Sequence, residues 1–178
     1  MRTRSILGVG AALLLSGGLV LAQQQAPKPA PEMSQIANFE GTWNCSGKAL
    51  DSPMGPGGSM SGTVEVRRDL GGFWQSGVVK AKMANQPLFE GRFHVTYNPG
   101  AKQFVMLWVD SMGGWSRTTS NGWKGDTLIY EGDAYMGPQT FKSRDTFTRS
   151  GAATLKHTWE AQIGGKWAPM GEETCTKK

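Results

Sequence analysis

From Glu40 onward, apolar and polar residues alternate in short stretches, and no stretch keeps a 3.6-residue apolar period for three turns. Segments rich in Val, Thr, Phe, Trp and Tyr recur between Gly, Asn, Asp and Pro. They predict strands near Gly41–Ala49, Ser61–Leu70, Phe73–Met83, Phe89–Tyr97 and Phe104–Asp110. Further strands are predicted near Trp115–Trp123, Leu128–Ala134, Thr140–Arg149, Thr154–Ile163 and Trp167–Thr176. Asn98-Pro99-Gly100, Gly71-Gly72, Gly125-Asp126, Ser150-Gly151 and Gly164-Gly165 carry hairpin chemistry between them. Ser52–Ser59 reads as a longer Pro/Gly loop. A short helix fits only Met33–Phe39, with Ser34 as its candidate cap.

About ten strands joined in order by short turns make an all-β, antiparallel up-and-down meander. Closing it into a barrel removes the unpaired edges. A two-sheet sandwich would alternate in the same way, and the regular short turns favour the barrel. Alternation places Phe93, Val95 and Tyr97 on one face of their strand, and Leu155, His157, Trp159, Ala161 and Ile163 on one face of theirs. Phe104–Val109 is apolar on both faces, which predicts a helix, loop or tether lying over its outer side.

The amino terminus has a different character. Arg2 and Arg4 precede an apolar run, Ile6–Ala22, that ends in small residues before Gln23, the three parts of a secretory signal peptide. The competing reading is an uncleaved anchor, but the run is short for a bilayer and Gly8, Gly10, Gly17 and Gly18 weaken it as a helix. Residues 1–22 are therefore expected to be a signal peptide and 23–38 a Pro/Gln-rich tether with room for one short helix. Residues 39–178 form the barrel domain. The expected location is periplasmic or secreted, with no stable membrane insertion after processing. Loss of Arg2 and Arg4 lowers the formal charge from +5 to +3. The cationic pairs Arg67-Arg68, Lys80/Lys82 and Lys177-Lys178 are scattered, so no stripe suited to nucleic acid exists.

Two cysteines test the closure. Cys45 lies in the first predicted strand and Cys175 in the last, and a ring brings those strands side by side. In an exported protein the pair is expected as a disulfide, with two separate buried thiols as the alternative.

Several motifs resemble the bacterial domain-of-unknown-function family 1579. They are Phe39-Glu40-Gly41-Thr42-Trp43, Leu70-Gly71-Gly72-Phe73, Phe89-Glu90-Gly91, Trp108-Val109-Asp110-Ser111-Met112-Gly113 and Arg144-Asp145, spread over a chain similar from Phe39 to Thr176. The resemblance implies a calycin-like, lipocalin-like β-barrel, often exported. It brings no reaction and no catalytic residues.

The chemistry-bearing residues are few. His94 and His157 lie on separate strands without a close-spaced ligand partner, so no metal site is expected. One axial histidine could hold haem in a nitrobindin-like barrel, and His157 is the candidate because Leu155 and Trp159 share its face. A hydrogen-bonded core histidine is the plainer reading, and no cofactor is assigned. Asp110 ends an apolar strand, and Arg144 sits in a strand with Phe141 and Phe147. Either could anchor a ligand's polar group, or close an internal ion pair or a turn. Trp74, Trp108, Trp115, Trp123 and Trp159 exceed what one small core requires. The candidate ligand-lining set is Trp74, Trp108, Asp110, Tyr130, Arg144, His157 and Trp159. The leading expectation is a non-catalytic barrel around a small hydrophobic or amphipathic molecule. The alternatives are a filled structural or interaction barrel of the envelope, and an enzyme or haem barrel using Asp110, Arg144 or His157.

Overall fold

The computed structural model describes residues 26–52, 55–83 and 87–178. The expected signal peptide lies outside the described residues. A 3-10 helix, Pro31–Phe39, precedes the strands β1 (Gly41–Ala49), β2 (Gly58–Asp69), β3 (Trp74–Met83), β4 (Phe89–Asn98) and β5 (Gln103–Asp110). Then follow β6 (Gly114–Ser120), the two-residue β7 (Trp123–Lys124), β8 (Thr127–Met136), β9 (Gln139–Arg149), β10 (Thr154–Ile163) and β11 (Lys166–Lys177).

Each long strand pairs antiparallel with its neighbours in the chain, β6 pairs with β8, and β1 pairs with β11. Ten long strands therefore close into a ring with no free edge, as the turn spacing predicts. The closing register sets Cys45 opposite Cys175, and the two form a disulfide with their Cα atoms 4.0 Å apart.

Three local expectations are corrected. The helix starts at Pro31, where a fixed φ and a missing N–H suit the first position, so Ser34 lies inside it and donates to the Pro31 carbonyl instead of capping. The strand predicted over Trp115–Trp123 breaks after Ser120. There Gly122 adopts φ +90 and donates its N–H to Ser120 Oγ, turning Trp123 towards the helix. Among the described residues nothing covers the outer side of β5 at Leu107 and Val109, which are 39% and 50% exposed. Its apolar residues shelter laterally, because Val109 pairs with Trp115 and the Trp115 ring stacks on Tyr135 with centroids 3.9 Å apart.

The helix plugs one end of the barrel. Ile36 packs with Val95, Phe104, Met106, Leu128 and Tyr130 in a sealed cluster. Side chains from the wall hold the helix backbone at each turn. Gln75 Nε2 donates to the Ile36 carbonyl, Trp123 Nε1 to that of Gln35, and Trp43 Nε1 to that of Phe39. These bonds satisfy carbonyls that a short 3-10 segment would otherwise bury unpaired. Beside this cluster Trp43, Val66 and Leu155 pack around the disulfide.

Candidate functional site

Strand alternation and the cross-strand register together fix which side chains enter the lumen. Odd positions point inward on β9 and β10 and even positions on β8, so Tyr130, Asp145, Phe147, His157 and Trp159 face the interior while Arg144 faces out. Near the plug Phe104 is 1% and Leu128 0% exposed, while the inward rings of Tyr97 and Phe147 packed against that cluster stay partly exposed. In the opposite half, inward Met60, Phe89, Trp108, Met136, Phe141 and Trp159 all retain partial exposure. Water therefore reaches those large side chains in the half away from the plug, while the small inward residues Ala81, Ser116, Ala134 and Ala161 there are buried.

Glycines shape that open half. A Cβ at Gly77 would lie 2.1 Å from the Phe93 ring, one at Gly91 would lie 2.2 Å from Trp108, and one at Gly171 would lie 2.1 Å from Trp159. Each ring occupies the space of a missing side chain on a neighbouring strand. The aromatics therefore panel the wall, as ring-over-glycine pairs do in sheets. Opposite this panelling, β6, β8 and β9 present small inward residues: Ser116, Thr118, Gly132, Ala134 and Ser143. The hydroxyls of Thr118 and Ser143, on either side of Gly132, are buried and have no hydrogen-bond partner.

At mid-depth lies an ionic group. His157 Nε2 is 3.0 Å from Asp145 Oδ1, and Nδ1 is 3.1 Å from Glu173 Oε1. Phe147 stacks on the imidazole with centroids 4.4 Å apart. Burial works against the charged ring, but hydrogen bonds and attraction from the two carboxylates outweigh it and raise the His157 pKa to about 9. At neutral pH it is an imidazolium donating to both neighbours. All three side chains keep lumen exposure: 18% for His157, 23% for Asp145 and 13% for Glu173.

The sequence candidates divide by face. Trp108, Asp110, Tyr130, His157 and Trp159 point inward. Trp74 and Arg144 do not, which corrects the expectation that they line the interior. Trp74 lies edge-on to His94 on the outer side of β3 and β4, beside a cleft of about 210 Å³ under Pro29 and Met33. Arg144 Nε donates to Glu160 Oε2 at 2.7 Å, and its guanidinium lies 4.2 Å from the Trp167 ring centre, all on the outer face. Arg144 thus stands on the opposite face of the wall from Asp110 and His157, and the three do not form one site. Asp110 instead serves the mouth: Oδ1 accepts the N–H groups of Met112 and Gly114, and Oδ2 accepts Trp108 Nε1. It closes the β5–β6 turn and orients the indole. His157 fits an axial haem role poorly, because each ring nitrogen is engaged by a carboxylate and the imidazolium has no lone pair to give.

Asp145 and Glu173 escaped the sequence reading, although parity held the signal. Phe141 and Phe147 share odd positions with Asp145, and Glu173 shares a face with Cys175, whereas Arg144 has the opposite parity.

Residues 28–177 match the family model described as protein of unknown function, DUF1579. The chain belongs to the DUF1579 family. No curated protein matches it by sequence. Among solved structures it resembles Rv2717c from M. tuberculosis with a TM-score of 0.65 and 11% identity, over 85% of this chain and 99% of that one. At that identity the likeness speaks for the β-barrel fold alone. Two weaker likenesses carry no argument. One is a de novo designed fluorescence-activating β-barrel (TM-score 0.45, 13% identity, 79% of this chain and 94% of that one). The other is EF1p2_mFAP2b bound to DFHBI (TM-score 0.47, 14% identity, 82% of this chain and 99% of that one).

Proposed function

We propose that this DUF1579 barrel is an exported, non-catalytic carrier that encloses a small hydrophobic or amphipathic molecule in the open half of its lumen. One observation carries the reading: inward aromatic and methionine side chains away from the plug keep partial exposure, whereas Phe104, Leu128 and Tyr130 beside it are sealed. Apolar surface held in contact with water inside a rigid ring gains free energy when an apolar molecule displaces that water, at roughly 25 cal/mol per Å² covered. The aromatic panelling leaves the volume open, and the plug closes the other route of escape. Export rests on the amino-terminal pattern of Arg2, Arg4 and Ile6–Ala22.

Native mass spectrometry of protein purified gently from its own envelope tests the reading. A bound small molecule is expected, released by Phe141→Asp or Trp108→Asp. Apo protein that also fails to take up a neutral naphthyl probe in titration would overturn it. A second reading, an envelope interaction barrel, is favoured by exposed Val109 and Trp115 on the outer wall, the latter stacked on half-buried Tyr135. A photoreactive residue at position 115 should then capture a protein in intact cells, and labelling no stronger than at exposed Lys82 would remove that reading.

A further inference from the structure

The lumen carries formal charge of a definite sign. Among the described residues, the inward ionisable groups of the strands below the mouth turn, besides the cations named next, are Asp145, His157, Glu173, Tyr130 and, at the plug, Tyr97. Cations that share inward parity lie at the ends. Arg68 binds Glu40, Arg149 binds Asn38 Oδ1, and Lys177 Nζ donates to the Asn38 carbonyl, all at the plug; Lys166 is exposed in the β10–β11 hairpin at the mouth. Two carboxylates face one imidazole, so the group is net negative whether or not the ring is protonated. That sign is opposite to the chain's formal +5.

Each carboxylate also has capacity to spare. Asp145 meets the imidazole through Oδ1 and Glu173 through Oε1, and neither second oxygen is buried without a partner. They remain open to the lumen. The carboxylates stand on opposite edges of the ring rather than converging on one point, which is poor geometry for a metal ion and suits a group with several N–H donors. Two independent features point to a polar occupant at this depth. Thr118 is fully buried, faces inward and leaves Oγ1 unbonded; Ser143 Oγ is likewise unbonded, two residues from Asp145 on the same face. Buried hydroxyls without partners cost about 1–3 kcal/mol each, and an incoming polar group relieves that. The π-face of Trp159, opposite Asp145 in the register, adds the surface on which an organic cation rests.

We propose that the enclosed molecule is an organic cation: an apolar or aromatic body in the open half, with a protonated amine at the Asp145–His157–Glu173 group. This rests on the enclosure reading above and adds the chemical class. Aromatic walls favour an organic ammonium over a hydrated inorganic ion. The net-negative group disfavours fatty acids and other anionic amphiphiles, because a carboxylate there would meet two like charges in a poorly screened setting.

Three probes with one apolar body test it: 2-naphthylmethylammonium, 2-naphthylmethanol and 2-naphthoate, titrated calorimetrically into the intact exported protein at pH 7. The expected order is ammonium, then alcohol, then carboxylate, with about tenfold or more between the first and last. The overall positive charge would produce the reverse order, so the preference cannot arise from bulk attraction. Glu173→Gln should shrink the ratio of ammonium to alcohol affinity several-fold, with Asp145→Asn as the second variant. Equal binding of all three, or preference for the naphthoate, overturns the cation assignment and leaves enclosure standing. Binding of none overturns enclosure itself.

Discussion

The indole of Trp159 occupies the position a side chain at Gly171 would need, with Cζ2 2.1 Å from the ideal Cβ across the β10–β11 pair. The pairing explains how a large inward ring can leave the lumen open. It also makes Gly171 a sharp test, because a Cβ there would meet Trp159 Cζ2, Cη2 and Cε2 at 2.1, 2.5 and 2.6 Å, and the indole would have to shift. Gly171→Ala should destabilise the barrel by about 1–3 kcal/mol, the usual cost of overpacking. Urea titration with tryptophan fluorescence reads the cost and the altered indole environment together. An unchanged midpoint and spectrum would contradict the packing described.

The Cys45–Cys175 disulfide joins residues 130 apart in sequence at the seam where the ring closes. In the chain-entropy account, a closed loop of that length stabilises the fold by about 5 kcal/mol. The paired substitution Cys45→Ala with Cys175→Ala is therefore expected to lower unfolding free energy by roughly 2–5 kcal/mol. Reducing agent should do the same to the natural protein and nothing to the double variant.

The His157 group predicts a pH dependence with a definite sign. Asp145 from β9 and Glu173 from β11 raise its folded pKa to about 9 from 6.5, so the folded state binds the proton more tightly than the unfolded chain. The stabilisation is fully present below pH 6.5 and is lost as pH rises through 9. Its size is about 3 kcal/mol, since each tenfold gain in proton affinity on folding is worth ~1.4 kcal/mol. His157→Gln should flatten stability between those limits and lower it at pH 6, since two lumen carboxylates then lose their cation. A wild-type profile as flat as the variant's would refute the assignment.

The plug is the part of the fold that makes the lumen one-ended. Ile36 is 1% exposed inside a cluster with Phe104 and Leu128. Ile36→Ala should cost about 2–5 kcal/mol by cavity formation. Hydrogen exchange of residues 35–39 should accelerate more than that of β10, because the nine-residue 3-10 helix lies outside the sheet ladder and its hydrogen-bond geometry is poorer. Uniform acceleration across the barrel would show instead that plug and ring unfold as one unit.

Much of this architecture is legible locally. The strands, the hairpin turns at Asn98-Pro99-Gly100 and Gly164-Gly165, and the odd-position face of Leu155, His157 and Trp159 follow from a two-residue period, which needs only near neighbours. The union of Cys45 with Cys175 followed from topology once a ring was assumed. Where both faces of a strand carry large residues, periodicity is silent about which is inside. Arg144 and Asp145 show this: adjacent and both charged, one meets Glu160 in the outer wall and the other meets His157 in the lumen.

By itself, the order of residues determined an all-β meander, its turns and the pair of cysteines able to staple it, because strand period and turn chemistry act over a few residues. Only the tertiary structure decided that Trp74 looks outward, that Glu173 completes an ionic group with residues of two other strands, and that a 3-10 helix stoppers one end. Those outcomes depend on cross-strand register, which joins residues distant along the chain and cannot be read from either partner alone.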